Sequence, residues 1–379
     1  MSKRSNGEGN IRQRPNGSWE ARISYVDEST GKRKRVSFYG RTKREVRDKL
    51  KEAVDRIDSG APPKDATVTV AEWLAHWRAT TLEASDRKPS TKQMYVRLSQ
   101  NHLESSSIAA VRLDRFRASN VEGLLVELRA KGLADTSVRL IYTVLRQAFD
   151  GAVRDGLISR NPVADVKRPR ATAKEAKFLD VSQVGTLLRA VDDSRYATVL
   201  KLIAATGLRA GEACGLRWED VDLDEGTLRV RKTAVILDNR VELLEPKTAK
   251  SRRTVPLSGA TVAMLRKHKA TLAAEKLAAG DQYADLQMVF PTRLGTILSP
   301  RNLLRVVDVA AKREGLDGVG VHTLRHSAAV AWLEAGVHIR AVADLLGHSS
   351  ISITGDVYAH VSESTSRSAV DGLSDALGF

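Results

Sequence analysis

Cysteine is almost missing from this chain of 379 residues: Cys214 stands alone. That excludes an internal disulfide framework and a cysteine-rich zinc site, and it suits a reducing compartment. Long apolar runs are missing too. Nothing approaches the roughly 18 apolar residues of a membrane span, and the opening MSKRSNGEGN lacks the apolar centre of a signal peptide. Together these absences imply an intracellular protein that works away from the membrane.

Positive charge is what the chain has in excess. Sixty-one Lys and Arg face 46 Asp and Glu, a net +15, and a pI near 9.9 points to a polyanionic partner. The excess is uneven: residues 1–60 carry +7, residues 61–170 carry +6 and residues 171–379 only +2. The N-terminal half reads as an electrostatic grip and the C-terminal half as an enzyme domain of ordinary balance. The length exceeds what one core fills, so several domains are expected.

Ser18 to Val26 alternates Trp19, Ala21, Ile23 and Tyr25 with polar residues, the period of a half-buried strand, and Arg33 to Tyr39 reads as its return. Thr42 and Glu45 then cap a helix with Val46, Leu50, Val54 and Ile57 on one face, ended by Gly60. Arg12, Arg14, Arg22, Lys32, Arg33, Lys34 and Arg35 lie on or near these strands, where a sheet face could enter a DNA groove. After the linker APPK, capping signals at Thr69, Ser90 and Ser119, and an apolar stripe from Thr136 onward, mark four helices between Thr69 and Gly156. Lys92, Arg97, Arg139 and Arg146 on them are candidate phosphate contacts. The stretch Asn161 to Lys177 is polar, basic and broken by proline, which reads as an exposed hinge; its Lys167, Arg168 and Arg170 could run along DNA.

A third domain opens with Asp180 capping a helix, followed by a helix over Tyr196 to Ala205 and a helix end at Gly207. Next, Arg209 and Glu212 stand three apart on a short helix, so the carboxylate can hold the arginine. Leu228 to Leu244 reads as a hairpin closed by Asp238 and Asn239, and Thr254 to Leu257 as a third strand; Lys247 lies in the connection PKTAKSRR. Ala260 to Ala279 is a long Ala- and Lys-rich helix and Pro300 to Arg313 another. The chain then reaches VHTLRHSAAVAWLEAGVHIRAVADLLGHSSISITGDVYAH, Val321 to His360. Two imidazoles (His322, His348), a guanidinium (Arg325) and a phenol (Tyr358) in so short a stretch suggest phosphoryl transfer to a tyrosine.

The motifs TGLRAGE, PKTAKSRR, HTLRH, LLGHSS and DVYAH occur in the order and spacing of the tyrosine recombinases, and the chain resembles a phage-type integrase from about Thr67 to its end. The resemblance implies an α+β fold, mainly α with small antiparallel sheets, in three domains. These are an arm-type DNA-binding domain (1–62, a three-stranded sheet plus helix), a four-helix core-binding domain of SAM-like type (63–165) and, after a basic linker (166–177), a mixed α/β catalytic domain (178–379) with a tail at 361–379. It implies Arg209 and Arg325 as catalytic arginines, Lys247 as the catalytic lysine, His322 and His348 as the paired histidines, Tyr358 as nucleophile and Glu212 as a supporting acid. His326 and His360 match no catalytic position and are read as structural. The implied activity is site-specific recombination of double-stranded DNA through a 3′-phosphotyrosine, by a homotetramer, without metal or cofactor. The implied setting is the cytoplasm of a bacterial host, nucleoid-associated when bound, with a host DNA-bending protein and an excisionase-type directionality factor as further partners. Two other functions share these features: a type IB topoisomerase-like relaxing enzyme, and a DNA-binding protein that has lost catalysis.

A phenol has an ordinary pKa near 10, so forming the phenolate at pH 7 costs about 4 kcal/mol, which a cage of positive charge must offset.

Overall fold

The computed structural model describes residues 10–26, 33–58, 68–171, 177–246, 249–348, 371, 374, 377 and 378. The chain divides into two compact units, Met1–Ala173 and Lys174–Phe379. Among the described residues no helix is long and apolar enough to cross a membrane.

The first unit opens with β1 (Asn10–Gln13), β2 (Trp19–Val26) and β3 (Arg33–Gly40), antiparallel in that order, and helix α1 (Lys43–Asp58). The alternation of β2 does what its sequence demands. Ala21 and Ile23 are buried with Val46 and Leu50 of α1, and Val36 and Phe38 pack against them from β3. The opposite face carries the positions of Arg12, Arg22, Arg33 and Arg35, by the registers Arg12↔Glu20, Asn10↔Arg22, Ser24↔Arg35 and Val26↔Arg33. Glu45 does cap α1 from within, accepting from the backbone N–H of Arg41. Lys32 and the helix stop at Gly60 lie outside the described residues.

Four further helices of the unit, α2 (Val70–Trp77), α3 (Pro89–Leu98), α4 (Ala118–Ala130) and α5 (Asp135–Arg154), share a separate core around Trp73, Trp77, Leu124, Ile141 and Phe149. Thr69 and Glu72 form the expected reciprocal cap on α2. Two starts differ from expectation. Helix α4 begins at Ala118, before Ser119, because the Asn120 side chain accepts from the backbone N–H of Arg117. Helix α3 begins at Pro89, before Ser90, since a proline is pre-set for the first helical position. Nor is the hinge exposed from its first residue: Val163 is fully buried in the helical core, and its carbonyl and that of Val166 lie 2.9 and 2.8 Å from the Tyr142 hydroxyl.

The second unit contains helices α6 (Val181–Arg189), α7 (Ala197–Thr206) and α8 (Ala210–Cys214), strands β4 (Val221–Asp222), β5 (Thr227–Arg229), β6 (Thr233–Leu237), β7 (Arg240–Leu244) and β8 (Thr254–Pro256), then α9 (Gly259–Ala279), α10 (Pro300–Arg313), α11 (Val321–Glu334) and α12 (Ile339–Leu346). The β6–β7 hairpin closes at Asp238 and Asn239, both at positive φ (45° and 62°), as a two-residue primed turn requires. The expected single hairpin over Leu228 to Leu244 is divided, however. Leu228 belongs to β5, which pairs with β4 and β8 in a separate sheet, so Thr254 adds its strand there and not to the hairpin. The core joins Leu200, Ile203, Leu208, Leu228, Val255, Leu303, Val321 and Leu324. A satellite cluster of Ala329, Leu333, Val342 and Leu346 seats α12 on α11.

Candidate active site

The site is built where helix ends meet. Helix α7 stops at Gly207, whose φ of +63° turns the chain sharply into Leu208 and Arg209. A Cβ on Gly207 would lie 2.5 Å from Leu346 Cδ2 and 3.3 Å from the Trp332 ring, so only glycine allows α11 and α12 to approach this corner. Arg209 is the N-cap of α8, and the same helix lies flat on β6: a Cβ on Gly211 would meet the Ala234 carbonyl oxygen at 2.7 Å.

Glu212 is 4% exposed and organises this corner. It accepts from Arg209 Nη1 at 2.7 Å and from the Arg209 backbone N–H at 3.0 Å. It also accepts from Arg253 Nη1 at 3.2 Å and Nη2 at 2.9 Å, a two-pronged pair. Burial pushes the Glu212 carboxyl up, but Arg253 and then Arg209 pull harder, and it ends below its ordinary value. A buried carboxylate between two guanidiniums is tolerable only because both sides are hydrogen-bonded.

Arg325 enters from the first turns of α11 and is 1% exposed. Its Nη1 donates to the Gly207 carbonyl at 2.6 Å and its Nη2 to the Leu346 carbonyl at 2.7 Å, tying α7 and α12 to α11. Two of its five donor hydrogens are spent this way among the described residues. Burial and the Arg209 charge bring its pKa down to about 9, leaving it cationic at neutral pH.

One turn before Arg325, His322 keeps one side open to solvent while its ring is packed edge-on against that of His326 at 4.5 Å. Desolvation, then the charges of His326, Arg325 and Arg209, push His322 down to about 4. His348 follows Gly347, the left-handed end of α12, and is half-buried; desolvation, Arg325 and Arg209 bring it to about 4 as well. Both imidazoles are thus neutral bases and acceptors at pH 7, under the field of the same two arginines. The structure therefore brings together Arg209, Glu212, His322, Arg325 and His348. Lys247 and Tyr358 lie outside the described residues. His326, set aside as structural in the sequence, touches the site through His322. Arg253 was missed altogether, although it stands in PKTAKSRR; its partners are 41 and 92 residues away.

The candidate DNA contacts are less uniform. Arg12 and Arg22 both pair with the buried Glu20 at 2.8 Å, and Arg22, against burial and with help from Arg12, draws that carboxyl down to about 2. Arg14 lies over the Tyr39 ring, while Arg33 and Arg35 are exposed. Lys92 is turned back to Glu83 by an ion pair at 3.5 Å, whereas Arg97, Arg146, Lys167, Arg168 and Arg170 are exposed and Arg139 is half-buried. Lys34 is placed in β3 opposite Tyr25.

Residues 177–365 match the phage integrase family. Over 92% of its length the chain is 30% identical to a XerC-like tyrosine recombinase of Caldanaerobacter subterraneus subsp. tengcongensis, covering 93% of that protein. Over 97% it is 24% identical to the ICEBs1 integrase of Bacillus subtilis, covering 100% of it. Among solved structures, the Tn1549 transposon integrase in complex with a circular intermediate DNA superposes with a TM-score of 0.66 at 19% identity, over 80% of this chain and 99% of that one. A lambda integrase dimer bound to a COC′ core site superposes with a TM-score of 0.59 at 21% identity, over 96% and 98%. A 30% identity sustained over nearly the full length of both proteins, on the same fold, establishes that the chain belongs to the tyrosine recombinase (phage integrase) family of site-specific DNA recombinases.

Proposed function

We propose that this recombinase integrates and excises a phage or other mobile element, exchanging DNA strands through a covalent 3′-phosphotyrosine. The observation that carries the reading is the meeting of Arg209, Arg325, His322 and His348 at one corner, with both imidazoles held neutral by desolvation first and by the neighbouring positive charges second.

In this reading Tyr358 Oη attacks the scissile phosphorus and the bond from phosphorus to the 5′ oxygen breaks. The phenolic proton passes to the neutral His322, and the Lys247 ammonium protonates the departing 5′ oxygen. Arg209 and those N–H groups of Arg325 that do not hold the Gly207 and Leu346 carbonyls neutralise charge gathering on the non-bridging oxygens, each worth on the order of 100- to 1,000-fold in rate. His348 hydrogen-bonds the phosphate. The phosphotyrosine conserves the energy of the broken bond, so a 5′ hydroxyl from another strand reverses the step with no external energy source.

The rest of the chain is assigned around this chemistry. Residues 1–62 form an arm-type DNA-binding domain, 63–165 a core-binding domain, 166–177 a basic linker and 178–379 the catalytic domain. The tail 361–379 packs on a neighbouring subunit. A homotetramer on two DNA sites is supported by a lambda integrase tetramer bound to a Holliday junction, with a TM-score of 0.58 to this chain. A host DNA-bending protein and an excisionase-type factor complete the assembly, which sits on the nucleoid when bound.

The test is a nicked duplex carrying the attachment site. The wild type is expected to leave a covalent protein–DNA adduct and to exchange strands between two sites, and Tyr358→Phe to do neither. An adduct that persists in Tyr358→Phe overturns the nucleophile; an adduct without exchange points to a relaxing enzyme instead.

A further inference from the structure

We propose that Arg253 is a positioning residue of the reaction, fixing the Arg209 guanidinium through Glu212 while tying the end of α12 to the same corner. The inference rests on Arg209 being a catalytic arginine, as read above. Arg253 stands at the entry to β8 and its side chain is 6% exposed. Every donor nitrogen of its guanidinium is engaged. Nη1 and Nη2 hold the two Glu212 oxygens, Nη1 also reaches the Ser251 carbonyl at 3.3 Å, and Nε donates to the Leu345 carbonyl at 2.6 Å. Four of its five N–H donors are thus engaged, against the two that Arg325 gives to the Gly207 and Leu346 carbonyls.

What Arg253 does is decide the geometry of its neighbours. Glu212 has to turn one oxygen to the Arg209 side chain and the other to the Arg209 backbone, and the fork of Arg253 fixes the plane in which it does so. Leu345 is two residues before Gly347, whose own Cβ position lies 3.1 Å from Arg253 Cδ, and His348 follows directly. One buried side chain thus sets both Arg209 and the departure of the chain towards His348. A lysine keeps the charge but not the fork or the Nε contact.

Glu212 is faced by Arg209 on its own helix, Arg253 at β8, and Arg325 and His322 on α11. Burial already pushes its carboxyl up, and Arg253 is the largest influence against it. Without Arg253 the upward push of burial is opposed by Arg209 alone, so the carboxyl should bind a proton more readily, and once protonated it would release Arg209. The experiment is single-turnover cleavage of the nicked duplex as a function of pH, with DNA affinity measured alongside. Arg253→Met is expected to keep its DNA affinity, to lose cleavage on the order of 100-fold, and to lose more as pH falls from neutral. Adding Glu212→Gln should remove that acid limb. Arg253→Lys should cleave more slowly than wild type with the wild-type pH profile.

A wild-type rate in Arg253→Met, or a loss equal at every pH, overturns the proposal. If Arg253→Met does not fold, Arg253→Lys decides: a wild-type rate overturns it, and a reduced rate at unchanged affinity supports it. A second measurement needs no activity. The Arg209 Nε–H resonance of the DNA-free protein should lose its order in Arg253→Lys, and an unchanged resonance overturns the proposal. A wild type that forms no adduct sinks the functional reading but leaves this second test standing.

Discussion

Arg325 Nη1 donates to the carbonyl of Gly207, 118 residues earlier, at 2.6 Å. Gly207 lies two residues before Arg209, so this single bond sets the distance between the elements that carry the two proposed catalytic arginines. The bond exists because Gly207 has left helical geometry: at φ +63° its carbonyl turns out of α7 and into the site. Two like charges are thereby held near one another in a buried corner, with Glu212 as the counter-charge.

Gly207→Ala tests whether this corner tolerates any other residue. The left-handed backbone alone costs an L-residue about 1–2 kcal/mol, and crowding against Leu346 adds about 1–3 kcal/mol. The variant should unfold at lower denaturant and lose cleavage even where it is still folded. Equilibrium unfolding together with the adduct assay checks both, and a stability equal to wild type would show that α12 simply moves aside.

Arg325→Lys keeps the charge and removes the fork. One ammonium cannot hold the Gly207 and Leu346 carbonyls and still present donors to a phosphate. Cleavage should fall by on the order of 100- to 1,000-fold while DNA affinity changes little. Equal losses in affinity and in cleavage would mean that the residue serves binding alone.

These two positions also show what a sequence can and cannot reveal. His322 and Arg325 are three apart on one helix, and Arg209 and Glu212 three apart on another, so local spacing exposes both pairs. The strands of the N-terminal sheet and the cap at Thr69 were legible for the same reason: alternation and caps are decided within a few residues. Arg253 was not legible, because its meaning lies in Glu212 and Leu345, far away in the chain. The placement of Thr254 beside β5 was hidden likewise; antiparallel pairing to the hairpin was equally good chemistry, and only the packed core around Leu228 and Val255 selects between them.

The arginine-bearing face of the N-terminal sheet should act as an electrostatic surface with graded members. Arg35 is exposed and has no resolved carboxylate partner among the described ion pairs, whereas Arg12 and Arg22 share Glu20. Arg35→Ala should lower the slope of log affinity against log salt by about one, uniformly across DNA sequences. Glu20→Gln should do the reverse, strengthening non-specific binding by freeing two guanidiniums while weakening the sheet it anchors. Salt titrations on arm-site and unrelated duplexes distinguish the two effects, and an unchanged slope in Arg35→Ala would remove that residue from the DNA surface.

Acid should destabilise the DNA-free protein before any carboxylate in the ordinary range is protonated. His322 and His348 both fall from an ordinary 6.5 to about 4 in the folded chain, through desolvation and the nearby arginines. A group whose folded pKa is depressed binds its proton more readily when unfolded, so the unfolded chain holds more protons between about 4 and 6.5. Stability should therefore be flat above 6.5 and decline as pH falls through that window. Glu212, also depressed, adds a further decline below the ordinary carboxylate value of 4.5, because there too the unfolded chain takes the proton first. A phosphate in the site works against this depression: its negative charge raises the imidazole pKa values back towards the ordinary one, so DNA binding takes up protons and tightens on mild acidification. Thermal midpoints measured against pH, with and without site DNA, check the argument. The free protein should lose stability below 6.5 and the complex should lose less, and His322→Asn should flatten part of the difference. A free-protein curve with no decline in this window would mean that the histidines remain ordinary, depressed neither by desolvation nor by the arginines.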